Sequence, residues 1–259
     1  MASNGYVKSV SQDPAIMPIP FTSSLGRVAG HSRVAVYGHS PTPGAGTDVW
    51  EGASAYPFQT VASKLEILSA SANDTAAGTG ARTMMITGLD ANFNPLSEVI
   101  TMNGVTPVQS VGTYLRVNGL NIMTSGSGHT NAGDITLRLT GAGATQAIAR
   151  AGYGYAKSCV YTVPANMTLL VTDVLPECGG TTVTTGIVFG FTRVDPTLQV
   201  QITNEYTTLP GAVLQRTIIT GAVVPATYAI TIRMTKLNGA PTEGFASLNG
   251  ILVDNTQLT

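Results

Sequence analysis

The sequence predicts an all-β protein: an extended N-terminal arm followed by two β-sandwich domains, of which the C-terminal one is jelly-roll-like. Short apolar segments with loose alternation recur from about residue 57 to the end, separated by turn clusters rich in Gly, Asn and Asp. No segment offers a long, capped amphipathic helix. The many Thr, Ser, Asn and Gly residues suit exposed strand faces and tight turns.

The first predicted element is the arm, residues 1–56. It is rich in Pro, Gly and Ser and keeps neither a period of two nor one of 3.6, as in "DPAIMPIPFTSSLG". Large apolar side chains supply most of the burial energy at interfaces. The candidate partner-binding anchors are therefore Ile16, Met17, Ile19, Phe21 and the sole tryptophan, Trp50. We expect the arm to make the main attachment, and residues 1–45 to be dispensable for folding.

Two β domains follow the arm. Residues 57–145 contain short strands such as "YLRVNGLNIMT" and "DITLRLT" and predict a small β-sandwich. Residues 146–157 form a connector that carries the domain boundary. Residues 158–259 hold evenly spaced strands with turn signals between them, which indicates a sandwich or jelly roll and not an α/β fold.

Composition narrows the classes of function. Hydrophobic residues make up 43% of the chain and charged residues only 10%, against about 25% in typical soluble proteins. With 13 basic and 14 acidic residues and no basic stripe, nucleic acid is not an expected partner. A net charge of -1 favours association over repulsion. No apolar run reaches the length of a membrane span, and the first residues lack a secretory signal, so we expect synthesis in the cytoplasm and no membrane contact.

Neither metals nor cofactors are predicted. No Cys, Asp or Glu stands at ligand spacing beside the three histidines, which are His31, His39 and His129. The D-x-N-x-N spacing that begins at Asp90 could open a calcium loop, but Pro95 takes the place of the expected Gly and Thr101 that of the final Glu. A hairpin turn is the favoured interpretation of this segment.

Catalysis is not expected either. The acidic residues are scattered over loops and strand ends without a spacing that pairs them; they include Asp134, Glu177, Asp195, Glu205 and Glu243. The tyrosines at the predicted domain junction, Tyr153, Tyr155 and Tyr161, could stack on a sugar or a protein partner, although interdomain packing is the favoured interpretation. The two cysteines, Cys159 and Cys178, are expected to be free thiols.

Several segments, taken in order, carry a resemblance to a known family. They are "GRVAGHSRVAVYGHSP", "TDVWEG", "AYPF", "SASANDTAAGTGARTMMITGLDANFN", "LRVNGLNIMTSGSGHTNAGDITLR" and the terminal "LNGILVDN". Together they resemble a family of virion structural proteins encoded by tailed bacteriophages, and the resemblance covers nearly the whole chain. It implies a particle component with two β domains and no catalytic residues.

This resemblance sets the functional expectations. We expect a non-catalytic virion protein on the particle exterior, made in the host cytoplasm and associated with the tail or a fibre. Its expected partners are other virion proteins of the tail, fibre or capsid and further copies of itself, with a trimer as the favoured state. The alternatives are a capsid decoration protein that cements neighbouring capsomers, a module that binds host glycans and, as the weakest, a glycan-degrading enzyme.

Overall fold

The chain folds into antiparallel β-sheets. The computed structural model describes residues 28–180, 185–208 and 216–258. Within these ranges there are sixteen strands and a single short 3₁₀ helix, Asn255–Gln257, and no helix long and apolar enough to cross a membrane. The all-β class predicted from the sequence is confirmed.

The strands form two stacked pairs of sheets. The first eight strands are β1 (His31–Ser40), β2 (Thr47–Asp48), β3 (Ser63–Ser69), β4 (Ala81–Leu89), β5 (Pro95–Thr101), β6 (Val108–Tyr114), β7 (Arg116–Ser125) and β8 (Ile135–Leu139). The remaining eight are β9 (Thr145–Ala149), β10 (Val160–Thr162), β11 (Met167–Gly179), β12 (Gly186–Val194), β13 (Val200–Thr208), β14 (Arg216–Val224), β15 (Ala229–Asn238) and β16 (Glu243–Asp254).

Strands β3 to β9 build the smaller sandwich. One sheet has the order β6-β3-β8-β9 and the other the order β5-β4-β7. Alternation along the strands turns one side of each sheet inward: Leu65 and Ile67 from β3 meet Met84 and Ile86 from β4 in a shared core, and all four are fully buried. This period of two is the pattern by which the sequence predicts a sandwich here.

The other strands build an eight-stranded jelly roll. Its sheets have the orders β1-β16-β11-β14 and β10-β15-β12-β13, and the two-residue strand β2 is added to β15. Counted within this domain alone, the sheets read 1-8-3-6 and 2-7-4-5, which is the strand order of a jelly roll. Its core lies between the sheets and is centred on Phe189 and Phe191 of β12 with Val171, Ile230 and Ile232.

The first strand of the jelly roll comes from the segment expected to be an arm. Strand β1 pairs with β16 over ten residues, from His31↔Val253 to Ser40↔Gly244. The smaller sandwich is thus an insertion between the first and second strands of the jelly roll. Residues 1–27 lie outside the described residues. The expectation that residues 1–45 are dispensable for folding is corrected, because their removal would take away a whole strand of the jelly roll and uncover β16.

Glycine at position 38 explains why this strand is hard to recognise in the sequence. Val34, Gly38 and Ser40 are the buried positions of β1, so only one of the three carries a large apolar side chain. A Cβ atom on Gly38 would meet the carbonyl oxygen of Val49 and the backbone nitrogen of Cys159. Backbone passes directly beneath the strand, and only glycine leaves room for it.

Both cysteines are buried in the jelly roll. Cys159 and Cys178 are free thiols in the structure. Burial raises the pKa of both thiols, and for Cys159 the charge of Asp48 adds to this effect. Neither sulfur has the thiolate character that reactive cysteines show.

The close approach of the Val49 and Cys159 backbone to Gly38 leads to a prediction about stability. Gly38→Val should lower the free energy of unfolding by at least about 2 kcal/mol, because the new side chain would push against backbone that cannot yield as a flexible side chain would. Urea unfolding monitored by far-UV circular dichroism measures the change. Ala35→Val is the matched control: Ala35 lies on the exposed face of the same strand, and its substitution should change stability by less than about 0.5 kcal/mol. Equal stability of the two variants would contradict the assignment of β1 to the jelly roll.

Candidate functional site

The predicted anchors separate into two groups. Ile16, Met17, Ile19 and Phe21 lie outside the described residues. Trp50 is only 2% exposed, its indole Nε1–H donates to the Ser54 carbonyl oxygen at 2.8 Å, and its ring meets that of Tyr56 edge-on at 5.1 Å. Its side chain therefore packs within its own chain and is not presented to a partner, contrary to the expectation.

Trp50 belongs to the segment that joins the two sandwiches, which we name the neck: residues 49–50 on the outgoing chain and residues 158–159 on the returning chain. The chain leaves the jelly roll at Val49 and Trp50 and returns at Ser158 and Cys159, and these two passages pair with each other. The Cys159 N–H donates to the Val49 carbonyl oxygen at 2.9 Å. The two connections of the inserted sandwich are thus paired with each other at the neck.

A buried ion pair holds the outgoing passage. Asp48 is fully buried, and both of its carboxylate oxygens accept from the Arg233 guanidinium, at 2.9 and 3.0 Å. One of these oxygens also accepts from the Tyr56 N–H at 2.7 Å. The hydrogen bond to Asp48 raises the pKa of Arg233 above its ordinary value although burial opposes it. The carboxylate therefore ties β2, β15 and the first turn beyond the neck together.

A second polar chain crosses between the two sandwiches. Arg150, just after β9, donates from Nε to Glu51 at 2.8 Å and from Nη1 to Asp134 at 2.8 Å. The same Glu51 carboxylate lies 2.7 Å from His39 Nδ1 on β1. The hydrogen bond to Glu51 is the main cause that raises the pKa of Arg150. The chain His39–Glu51–Arg150–Asp134 thus joins the first strand of the jelly roll to the last strands of the inserted sandwich.

Two residues in the segments that resemble the phage family, Asp74 and Asn131, hold the backbone of the smaller sandwich together. The Asp74 carboxylate is fully buried and accepts from the backbone N–H groups of Ala81, Ala132 and Gly133 at 2.6, 2.8 and 2.9 Å. The Asn131 side chain bonds to four backbone groups, among them the Gly154 N–H at 2.8 Å. Two motif segments almost 60 positions apart therefore meet at one buried carboxylate that accepts from their backbone N–H groups.

The motifs weighed for metal binding lie apart from one another. Over the described part of the chain, no group of three or more His, Cys, Asp or Glu residues is placed to hold a metal ion. Asp90 closes the β4–β5 hairpin, as the sequence favours, by accepting from the N–H groups of Asn92 and Asn94 at 2.8 and 2.9 Å. Among the acidic residues, Asp134 is bound by Arg150, Asp195 caps its own turn through Thr197 and Gln199, and Glu205 is exposed on β13.

The three tyrosines at the junction differ in their exposure. Tyr161 is partly buried and faces a groove of about 440 Å³ between β1 and the β4–β5 hairpin. Tyr153 and Tyr155 are 54% and 39% exposed, and both interact electrostatically with Tyr37, which is 40% exposed. The interdomain packing expected from the sequence therefore applies to Tyr161 only. We use the name junction aromatic patch for the set Tyr37, Phe245, Tyr153 and Tyr155.

Two members of this patch, Tyr37 and Phe245, are missed by sequence reasoning. The register of β1 and β16 places Tyr37 opposite Ser247 and His39 opposite Phe245, on the outer face of the sheet. The Phe245 ring stacks on both neighbours, at 4.8 Å from His39 and 6.4 Å from Tyr37. The only available signal was alternation in "SRVAVYGH", in which Tyr37 and His39 share the outward phase with Arg33.

Two carboxylates flank the patch. Glu177 is opposite Phe245 in the pairing of β11 with β16, and Glu243 Oε1 lies 3.9 Å from His39 Nε2. Burial raises the pKa of Tyr37, and the neighbouring Glu177, Tyr155, Glu243 and Tyr153 raise it further. On the other side the Lys157 ammonium lies 3.2 Å from the centre of the Tyr153 ring. Aromatic faces, hydroxyls and carboxylates therefore meet on one exposed surface.

Comparisons with known proteins give only distant structural likeness. No family model matches the chain, and no curated protein matches it significantly. The solved structures that it resembles include the VP2 subviral particle of infectious bursal disease virus (TM-score 0.22, 10% identity, covering 97% of this chain and 78% of that one). The Gt strain of the same virus gives a TM-score of 0.21 with 12% identity, covering 91% and 77%. Scores of this size do not establish a shared fold.

The ion pair at the neck makes a second stability prediction. Asp48→Asn should lower the free energy of unfolding by about 3 kcal/mol, because it leaves the largely buried Arg233 guanidinium without its counter-charge. Urea denaturation at pH 7 measures this loss. Glu205→Gln, an exposed carboxylate on β13, is the control and should change stability by less than about 0.5 kcal/mol. A loss as small as that of the control would show that the pair does not hold the neck.

A third prediction concerns pH. Burial opposes ionisation of Asp134, but the hydrogen bonds from the Ala151 N–H and from Arg150 outweigh burial and hold its pKa below the ordinary value. A lowered pKa stabilises the folded state above the unfolded-state pKa of about 3.9, and this gain is lost as the pH falls through the folded-state pKa. Because the pair is partly exposed, Asp134→Asn should cost about 1 kcal/mol or less at pH 7.

Thermal unfolding from pH 7 to pH 3 checks this third prediction. The difference between the native chain and Asp134→Asn should stay constant from pH 7 to pH 5 and shrink below pH 4. A difference that grows on acidification would contradict the assignment.

Proposed function

We propose that this chain is a non-catalytic structural component of a virus particle, placed on the particle exterior. The observation that carries the proposal is the jelly roll with a second sandwich inserted between its first two strands. Jelly rolls recur in viral capsid domains and in lectin domains. An insertion held by a paired neck gives such a domain a second body that projects from it, which suits a protein that contacts several neighbours at once.

Because one fold serves many functions, the surface has to support the assignment as well. The chain carries a net charge of -1 and few charged residues, so repulsion between copies is weak. The inserted sandwich exposes several valines, namely Val61, Val99, Val105 and Val111, and the last of these is 83% exposed. Exposed apolar side chains on a charge-poor surface favour contact with other proteins.

The edge of the jelly roll supports self-association. Among the described strands, β13 pairs only with β12, and the run Val200–Glu205 is exposed. Proteins usually protect such edges with lysine, proline or a covering segment, and β13 itself contains none of these residues. Pairing with a neighbouring copy would satisfy this edge, which supports the homo-oligomer in this proposal.

Within the particle, the proposed position is on the tail or a fibre. The N-terminal segment supplies the attachment in this proposal, through the apolar residues Ile16, Met17, Ile19 and Phe21, and its partners are tail, fibre or capsid proteins. A capsid decoration protein that cements capsomers is the competing position. Membership of the tailed-phage virion family and synthesis in the host cytoplasm belong to the same proposal.

The test is incorporation into particles made by the genome that encodes the chain. Quantitative mass spectrometry of purified particles should find tens of copies for a tail or fibre position and hundreds for a decoration protein. Removal of residues 1–27, which leaves β1 in place, should abolish incorporation because the apolar anchors are lost. Absence of the native chain from purified particles would refute the structural role.

Point substitutions separate attachment from folding in the same experiment. Ile19→Asp together with Phe21→Asp should reduce incorporation at least tenfold, and Ser23→Asp is the matched control that adds a charge without removing an apolar side chain. Normal copy number of the double variant would overturn the proposed attachment through this segment.

A further inference from the structure

The junction aromatic patch has the composition of a binding surface. Tyr37, Tyr153 and Tyr155 expose ring surface at a place where two sandwiches meet, and Tyr37 interacts electrostatically with Glu177 and Glu243. Tyrosine is of intermediate burial in folded proteins, so a single exposed tyrosine is ordinary, but several exposed aromatic rings beside carboxylates mark a candidate binding surface. No described residue forms a hydrogen bond or ion pair with the Glu177 carboxylate, which leaves its oxygens free to accept.

The Phe245 and Tyr153 rings, and the backbone of Tyr155, are held by contacts within the chain before any ligand arrives. His39 stacks on Phe245 and is fixed by Glu51, and Glu51 in turn is held by Arg150. Lys157 covers one face of Tyr153, and the backbone of Tyr155 bridges to that of Asn121. A surface whose side chains are already ordered loses little conformational freedom on binding.

The chemistry of the patch selects the ligand class. A sugar ring has an apolar face of C–H groups that packs on an aromatic ring and a rim of hydroxyls that donate to carboxylates. The patch offers both kinds of contact side by side. We propose that the junction aromatic patch binds a neutral glycan, whose rings pack on Tyr37 and Tyr155 while hydroxyls donate to Glu177 and Glu243.

The charges favour a neutral ligand over a charged one. Glu177 and Glu243 would repel the carboxylates of uronic or sialic acids. A cationic ligand such as a quaternary ammonium group is disfavoured, because Lys157 already covers one face of Tyr153 and His39 already faces Glu243. The groups that remain for a ligand are the exposed tyrosine rings and the carboxylate acceptors. A ligand with many hydroxyl donors and no charge fits them.

This inference is independent of the proposed particle role, since it concerns the isolated protein. The test is affinity electrophoresis of the full chain in gels that contain mannan, galactan or dextran, with polygalacturonate and polysialic acid as acidic probes. Retardation is expected with at least one neutral polysaccharide and with neither acidic one. Retardation by the acidic probes alone, or by none of the five, would overturn the proposal.

Variants locate the binding surface. Tyr155→Ala and Tyr37→Ala should each weaken binding at least tenfold, and Glu177→Gln should weaken it several-fold because a neutral amide accepts more weakly. Lys236→Gln is the control: Lys236 is exposed on β15 and belongs to neither the junction aromatic patch nor the β13 edge, so this variant should bind as the native chain does. Thermal unfolding of each variant checks that it is folded, and Tyr155→Ala gives a second reading if Tyr37→Ala destabilises β1.

Two results would count against the site itself. Unchanged binding in both tyrosine variants would place the glycan elsewhere on the chain. Displacement of the polysaccharide by millimolar tetramethylammonium would show that the patch is a cation site instead.

Discussion

The buried pair of Asp48 and Arg233 is the interaction on which the two-part architecture depends. A carboxylate without any exposure has to be paired, because an isolated buried charge is strongly unfavourable. Its two bonds to Arg233 hold β2 against β15, beyond the end of β10, and its third bond fixes the backbone at Tyr56. The direction in which the chain leaves the jelly roll is thereby set.

The rest of the junction follows from that direction. Once the chain is directed past Trp50, the returning passage pairs with it at Ser158, and both run beneath Gly38. Contacts between domains of one chain are commonly polar and permit motion. Here a small apolar cluster of Trp50, Tyr56, Phe58 and Val160 is added to the polar chain through Glu51 and Arg150. The apolar and polar contacts thus hold the two sandwiches together at the neck.

The sequence predicts local features of this fold better than its connections. Alternation around Leu65 and Ile67 and the turn at Asp90 depend on neighbouring residues, and both are visible in the sequence. The membership of β1 in the jelly roll depends on pairing with β16 more than 200 positions later, and its inward positions are partly filled by Gly38 and Ser40. Tyr37 and Phe245 meet only through that register, so no local pattern could have joined them into one site. Trp50 shows the converse: a large apolar residue in a Pro/Gly-rich segment predicts an exposed anchor, whereas the neck buries it.

The two proposed surfaces lie on different sheets of the jelly roll, and this placement affects how they could work together. The exposed edge β13 belongs to the sheet β10-β15-β12-β13, whereas Tyr37 and Phe245 lie on the outer face of the sheet β1-β16-β11-β14. Pairing of β13 with a neighbouring copy would therefore not cover the junction aromatic patch. Each copy in an assembly would retain its own glycan site, and many weak sites on one particle bind a surface far more tightly than one site does. A modest affinity in the isolated protein is consequently compatible with firm attachment by the assembled form.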